Sequence, residues 1–307
     1  MSQDPYFAGR SAWVNDREYF FKYASRGTAR AVLENQTLRW STPATLNDPY
    51  DVQFDLHIEV DRDAVKAAAL QRLWDAHYGD QPVRVGNKLG EAIRVVRGFF
   101  PRLSREEFND TYGESMDEGF NAAERSLPEV QAQIRAEMAK SKLLCLAELP
   151  DDLAMWAYYA EQHCGVVFRI RSVPELDSPW GMARPVQYVL EMPRLVDEPF
   201  LVEMLSGAAS FDVPSINDRL VYTKSIHWAH EREWRVVAGS GRNPQAPYED
   251  IKFHAAELDA VILGARMARE DRAVFIDLLR NRFPTTTILQ ASTAGKRFQL
   301  EFKVVGD

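Results

Sequence analysis

The chain has 307 residues, of which 46% are hydrophobic and 27% charged, an ordinary globular balance with material for a sizeable core. Its formal net charge is -8, from 37 Lys plus Arg against 45 Asp plus Glu, so non-specific nucleic-acid binding is not expected. No run approaches the ~20 apolar residues of a membrane span. The opening "MSQDPYFAGRSAWVNDREYF" lacks the basic start and apolar stretch of a signal peptide, so a soluble cytoplasmic protein is expected. Cys145 and Cys164 have no metal-type spacing and read as reduced core residues.

In chain order, "EYFFKYAS" reads as an aromatic strand and "TARAVLENQ" as a helix. Ala29, Val32 and Leu33 fall on one face of that helix, with Thr28 as its cap. In "TLRWST", Leu38 and Trp40 alternate with Arg39 and Ser41, the period of a half-buried strand. "PATLNDPYD" is a loop in which Pro49 holds Asp48 extended and Asn47 and Asp48 favour a turn. Residues 61–142 change in character. Four stretches there read as helices, the third opened by a capping box of Ser104 and Glu107, the fourth starting at Pro128. Strands return with "KLLCLAEL", "CGVVFRIR", "ARPVQYVLEM", "EREWRVVAG", "ELDAVILGARM", "TTTILQAS" and "RFQLEFKVV". "DDLAMWAYYAEQH", capped by Asp151 or Asp152, "PFLVEMLSGAAS" and "REDRAVFIDLLRNRF" read as helices between them. Few strand pairs have a long crossover, which predicts a single α+β domain over 1–307 with a mixed, largely antiparallel sheet and a helical insertion at about 61–142.

"HWAHEREWR" (227–235) concentrates the ionisable groups. On a strand from about Glu231, the side chains of Glu231, Glu233 and Arg235 share one face, and Arg232, Trp234 and Val236 the other. The mutual repulsion of two carboxylates at this spacing raises the pKa of one while Arg235 opposes the effect, and such a pair can stabilise a developing cation; a surface salt-bridge ladder is the alternative. His227 and His230 depart from H-E-x-x-H spacing, so no metal is expected. Tyr158, Tyr159 and His163 are candidate rings for a flat ligand, and core packing accounts for Trp156. His163 and Cys164 are neighbours on opposite faces rather than a nucleophile pair. "FFKYASR" places Lys22, Tyr23 and Arg26 at a strand end. The phosphate-loop, dinucleotide-fold and nucleophile-elbow glycine patterns are absent.

Taken in order, "KYAS…AVLENQTLRWSTPATLNDPYD", "MWAYYAEQHCGVVFRI", "YTKSIHWAHEREWRVV" and "LDAVILGARM" resemble the bacterial domain of unknown function 2971 family, from Lys22 to about Met267. The strand–helix–strand beginning also resembles ADP-ribosyltransferase domains, including DNA-modifying toxins. Those carry a His or Arg on the first strand, where this chain has Lys22, and some carry Glu-x-Glu on a late strand, as Glu231 and Glu233 do here. That resemblance implies NAD as substrate. Glu233 would be the key carboxylate, Glu231 would orient the acceptor, and Tyr158 or Tyr159 would stack on nicotinamide. Lys22 and Arg26 would hold the phosphates. Tyr23, Asn47, Asp48, Trp156 and Arg235 complete the expected nucleotide site.

Three functions follow as expectations. The first is an NAD-dependent ADP-ribosyltransferase or NAD hydrolase, acting as a toxin or phage-defence effector. The second is a nuclease or hydrolase with magnesium held by Asp48, Asp51, Glu231 and Glu233. The third is a non-catalytic binding or sensing module in which the same side chains satisfy one another.

Overall fold

The computed structural model describes residues 14–52, 57–99, 101–192, 194, 196–210 and 213–306. The first 13 residues, read above for a leader, lie outside that set. β1 (Tyr19–Ala24) forms where the aromatic run predicts it and leads into α1 (Arg26–Asn35), which buries Ala29, Val32 and Leu33. The cap of α1 is Ser25, not Thr28. The Ser25 hydroxyl accepts from the Thr28 amide, so Thr28 lies inside the first turn. β2 (Thr37–Ser41) buries Leu38 and Trp40 as its alternation requires.

Next come α2 (Arg62–Tyr78), α3 (Lys88–Val96) and α4 (Arg105–Lys140). The Ser104–Glu107 capping box forms as read, each residue's amide donating to the other's side chain. α4 continues through Pro128, where a helix start is predicted. Phe120, Ala123, Leu127 and Ile134 are buried on both sides of the proline. Burial of several such side chains, at ~1.5–3 kcal/mol for each large one, outweighs the ~3 kcal/mol cost of an internal proline.

The chain then forms β3 (Lys142–Ala147), α5 (Leu153–Tyr158) capped by Asp152, β4 (Val166–Arg171), β5 (Arg184–Pro185) and β6 (Gln187–Val189). α6 (Glu198–Leu205), α7 (Val213–Val221), β7 (Thr223–Ser225), β8 (Glu233–Ala238) and β9 (Tyr248–Lys252) follow. β10 (Leu258–Leu263), α8 (Arg269–Arg282), β11 (Thr287–Thr293) and β12 (Leu300–Val304) close it.

The fold is α+β. The chain divides into a pocket unit (1–53, 137–191 and 221–307) and a helical unit (54–136 and 192–220). The helical unit is therefore larger than the expected insertion. Ala69, Leu73, Ile93 and Phe108 form its core, and Val202 and Leu205 of α6 pack on it. The Asn87 side chain, which caps α3, also donates to the carbonyls of Met204 and Ala209, tying the second stretch to the first.

In the pocket unit, one sheet runs β12-β11-β10-β4-β1-β3-β2-β9, with β8 on β3 and β5 on β8. Every pair in it is antiparallel except β10–β11, which α8 joins as a crossover. α1 and α8 bury Leu33 and Leu279 against Phe20, Phe168 and Val261; α5 buries Met155 and Trp156 with Tyr23, Val167 and Ile262 in a separate cluster. β8 pairs with β3 along its whole length. On the other edge of β3, β1 pairs only through Phe21 with Ala147, and β2 only through Ser41 with Leu143. Between those points the Cys145 carbonyl takes a hydrogen bond from Lys22 Nζ at 2.8 Å instead of from a strand. Among the described residues no helix is long and apolar enough to cross a membrane.

Candidate functional site

A cavity of about 230 Å³ occupies the place where β1 and β2 part from β3. β1 contributes Phe21, Lys22 and Tyr23 to its wall, β2 contributes Arg39 and Ser41, and the following loop contributes Asn47 and Asp51. Cys145, Met155 and Tyr159 extend the wall, and Lys224, Glu231 and Glu233 complete it.

The last three are brought together by a tight turn. Residues Ile226–Glu231 form a 3-10 segment in which the Ser225 hydroxyl accepts from the His227 amide. Arg232 then adopts a left-handed conformation (φ 43°, ψ 53°), and the chain enters β8 at Glu233. Glu231 is thus not on the strand, which corrects the alternation read from the sequence. The left-handed residue reverses the chain and still brings Glu231 beside Glu233.

Both carboxylates meet at Lys224. Its Nζ lies 2.5 Å from Glu231 Oε2, 3.1 Å from Glu233 Oε2 and 3.7 Å from Asp51 Oδ2. The Trp228 ring lies 5.0 Å from the same ammonium. Arg235 sits behind them with no exposed surface. It donates to both oxygens of Glu233 at 2.7 and 2.9 Å and to both oxygens of Asp51 at 2.8 and 2.6 Å. A fifth bond, at 2.6 Å, goes to the Val221 carbonyl. Three carboxylates face two cations, so the buried cluster carries one formal negative charge in excess.

Burial alone would raise the Glu233 pKa. Arg235, gripping both its oxygens, and then Lys224 overcome burial and lower the pKa to about 2. For Asp51 burial prevails: its pKa is raised, because it shares Arg235 with Glu233 and meets Lys224 only at 3.7 Å. Lys224 is raised despite burial, by the charges of Glu233 and Glu231. Burial pushes the Cys145 thiol well up, and the neighbouring Glu233 charge adds to it, so this thiol is a poor nucleophile.

Toward the cavity, Tyr159 donates its hydroxyl to Glu231 Oε1 at 2.6 Å and accepts from the Asn47 amide at 2.7 Å. Burial, then the bond to Glu231, raises the Tyr159 phenol above its ordinary range. The Glu233 amide donates to the Tyr188 hydroxyl at 2.8 Å, and burial lifts that phenol to about 12.

Of the residues expected to form a nucleotide site, Lys22, Tyr23, Asn47, Tyr159, Glu231 and Glu233 share this one cavity. The others lie elsewhere. Arg26 pairs with Glu161 and Asp271 at the start of α1, which removes it as a phosphate ligand here. Asp48 is buried and accepts from the Tyr50 amide, forming the turn for which its residue type was noted. Trp156 is fully buried, its indole N–H donating to the Pro150 carbonyl. Tyr158 is exposed and not part of the wall. Arg235 acts through Asp51 and Glu233, without lining the cavity itself. Lys224 and Arg39 were missed. Lys224 stands in "YTKSIHWAH", where a polar three-residue strand resembles a surface turn. Among the described residues no group of three or more His, Cys, Asp or Glu is placed to hold a metal, and Lys224 occupies the point where Asp51, Glu231 and Glu233 converge.

Comparison with protein-family models, curated proteins and solved structures finds no match to this chain.

Proposed function

We propose that the chain is an NAD-cleaving enzyme, an ADP-ribosyltransferase or NAD hydrolase, that works in the cytoplasm as a bacterial toxin or phage-defence effector. The observation that carries this proposal is the meeting of Lys22, Asn47, Tyr159, Glu231 and Glu233 at one cavity backed by an excess negative charge. Breaking the nicotinamide–ribose bond leaves positive charge on the ribose. Fixed carboxylates, themselves buried, stabilise that charge without reorganising as it forms. The roles differ from those read in the sequence. Glu233 accepts three hydrogen bonds, two from Arg235 and one from Lys224, so it supplies charge and holds Lys224. Glu231 accepts one bond on each oxygen, from Tyr159 and Lys224, and with this lighter load is the carboxylate that meets the ribose hydroxyls. Phe21 and Tyr23 offer rings to nicotinamide. Lys22 uses one donor on Cys145 and has others for a phosphate.

Incubation with NAD labelled in nicotinamide should release the label, and Glu231→Gln should abolish release while the protein stays folded. Expression of the wild type, but not of Glu231→Gln, should arrest bacterial growth. Absence of release over a broad set of acceptors would overturn the proposal. One observation favours a binding module instead: the cluster is mutually hydrogen-bonded around Arg235. On that alternative, NAD or a related nucleotide binds in calorimetry and is recovered intact.

A further inference from the structure

The hairpin between β11 and β12 has an unusual tip. Phe298 is fully exposed there, beside the exposed Lys296 and Arg297. A second cavity, of about 560 Å³, is formed by residues 293–300 with Leu153 and His163. None of its lining residues is a carboxylate, on a chain of net charge -8. A third cavity, of about 400 Å³, shares Leu153 and Phe298 with it and reaches Arg232 and Glu231. Glu231 also lines the site between β1 and β2. The second and third cavities therefore adjoin at Leu153 and Phe298 as one groove with a basic, aromatic tip, and Glu231 stands in the wall of both that groove and the site.

We propose that this groove binds a nucleotide unit, with its base stacked on Phe298 and its phosphate against Lys296 and Arg297. An apolar ligand would have no use for the two cations, and a bare anion none for the ring; a base joined to a phosphate uses both. The carboxylates of the groove, Asp151, Asp152 and Glu231, line its third cavity and not the second. Asp152 is occupied there as the α5 cap, and Asp151 lies next to it, so the phosphate is directed toward the hairpin. Binding in the groove stands by itself; delivery of the nucleotide to Glu231 rests on the NAD-cleaving function.

The test uses the full chain and two probes, adenosine monophosphate and a short dye-labelled oligothymidylate, at low salt. At least one should bind. Phe298→Ala should weaken that binding about tenfold, as loss of one base stack predicts, while Phe298→Trp preserves it. The double variant Lys296→Glu with Arg297→Glu should abolish it. All three positions are exposed, so the variants keep the fold, which near-ultraviolet circular dichroism checks. If the oligonucleotide binds with a log–log salt slope of about −1.4, two phosphates of a single strand are engaged and the ligand is a strand. If the mononucleotide alone binds, the ligand is a free nucleotide. Failure of both probes to bind, or binding unchanged in the Ala and double-Glu variants, overturns the assignment. Groove binding without nicotinamide release would sink the reaction and keep the groove. Release with unaffected groove variants would do the reverse.

Discussion

Replacing Arg235 by Met is the sharpest test of how the site is held. Methionine retains much of the stem volume but removes the guanidinium and its five hydrogen bonds to Glu233, Asp51 and Val221. Lys224 is then the one cation left against three buried carboxylates. Removing one partner of a buried pair costs ~3–5 kcal/mol, because an uncompensated charge stays in low dielectric. Urea unfolding followed by tryptophan fluorescence is the assay. Trp40, Trp156, Trp180, Trp228 and Trp234 belong to the pocket unit and Trp74 to the helical one, so the signal follows the unit that contains Arg235.

The pH dependence gives a second reading of the same variant. In the wild type the Glu233 pKa is lowered to about 2, so its contribution is fully present above its ordinary 4.5 and is lost as pH falls through about 2. Asp51 is raised, so its ionisation opposes this: its effect favours folding at low pH and is lost as pH rises through its folded value. Without Arg235 both carboxylates accept protons more readily, so the deficit should be largest at neutral pH and shrink at about pH 5. Adding Asp51→Asn and Glu233→Gln to Arg235→Met should recover most of the loss, since buried ion groups replaced together are often neutral in stability. A loss below ~1 kcal/mol, in the range of exposed pairs, or a deficit independent of pH would refute the reasoning.

Five further substitutions test the frame. Ser25→Ala should lower stability by about 1 kcal/mol through loss of the α1 cap, and Thr28→Ala by less, both read from urea midpoints. At Gly264 a Cβ would come within 2.2 Å of the His163 carbonyl oxygen, so Gly264→Ala should destabilise by ~1–3 kcal/mol or more, whereas Gly27→Ala on α1 meets open space and should be neutral or stabilising. Tyr159→Phe removes the hydroxyl between Asn47 and Glu231 and should cost about 1.5–3 kcal/mol, the worth of a hydrogen bond to a charged group. It should also slow nicotinamide release, and a change in neither would break the link drawn between Tyr159 and Glu231.

Elements with a clear period were legible in the sequence. Leu38 and Trp40 mark β2, Ala29, Val32 and Leu33 mark α1, and the expected strand–helix order survives from β10 to β12. Elements set by tertiary contacts were not. β9 is an edge strand with a polar, charged stretch "YEDIK", so it shows no apolar alternation and is defined by pairing with β2. Pro128 marks a helix start by local rules, and burial of the α4 face overrides them. Residues 192–220 join the helical unit through contacts with α2 and α3 that no local pattern reveals. In the site, alternation correctly grouped Glu231, Glu233 and Arg235, although Glu231 reaches its partners through the left-handed Arg232 rather than along a strand. Lys224 was illegible because a lysine's burial depends on the carboxylates that fold around it.

The ionic cluster is not explained by stability. Apolar side chains of similar volume would fill the space behind β3 as well or better, since desolvation offsets much of what buried charges gain from each other. Its members come from two separate stretches of chain, the loop at Asp51 and residues 224–235, and all but Arg235 line the cavity. Perturbed, mutually held charges beside a cavity are commoner at functional sites than in cores, although structural ion-pair networks share them. Glu231 separates the two accounts, because it is the member that lines both the cavity and the groove beneath Phe298. Glu231→Gln preserves shape and lowers the excess negative charge. If the cluster is a scaffold, losing an ionic bond to Lys224 should destabilise the protein and leave any nucleotide turnover in proportion to the folded fraction. If it is a site, stability should hold or rise as the buried charges balance, while nicotinamide release disappears. Loss of stability and activity in parallel would decide for the scaffold.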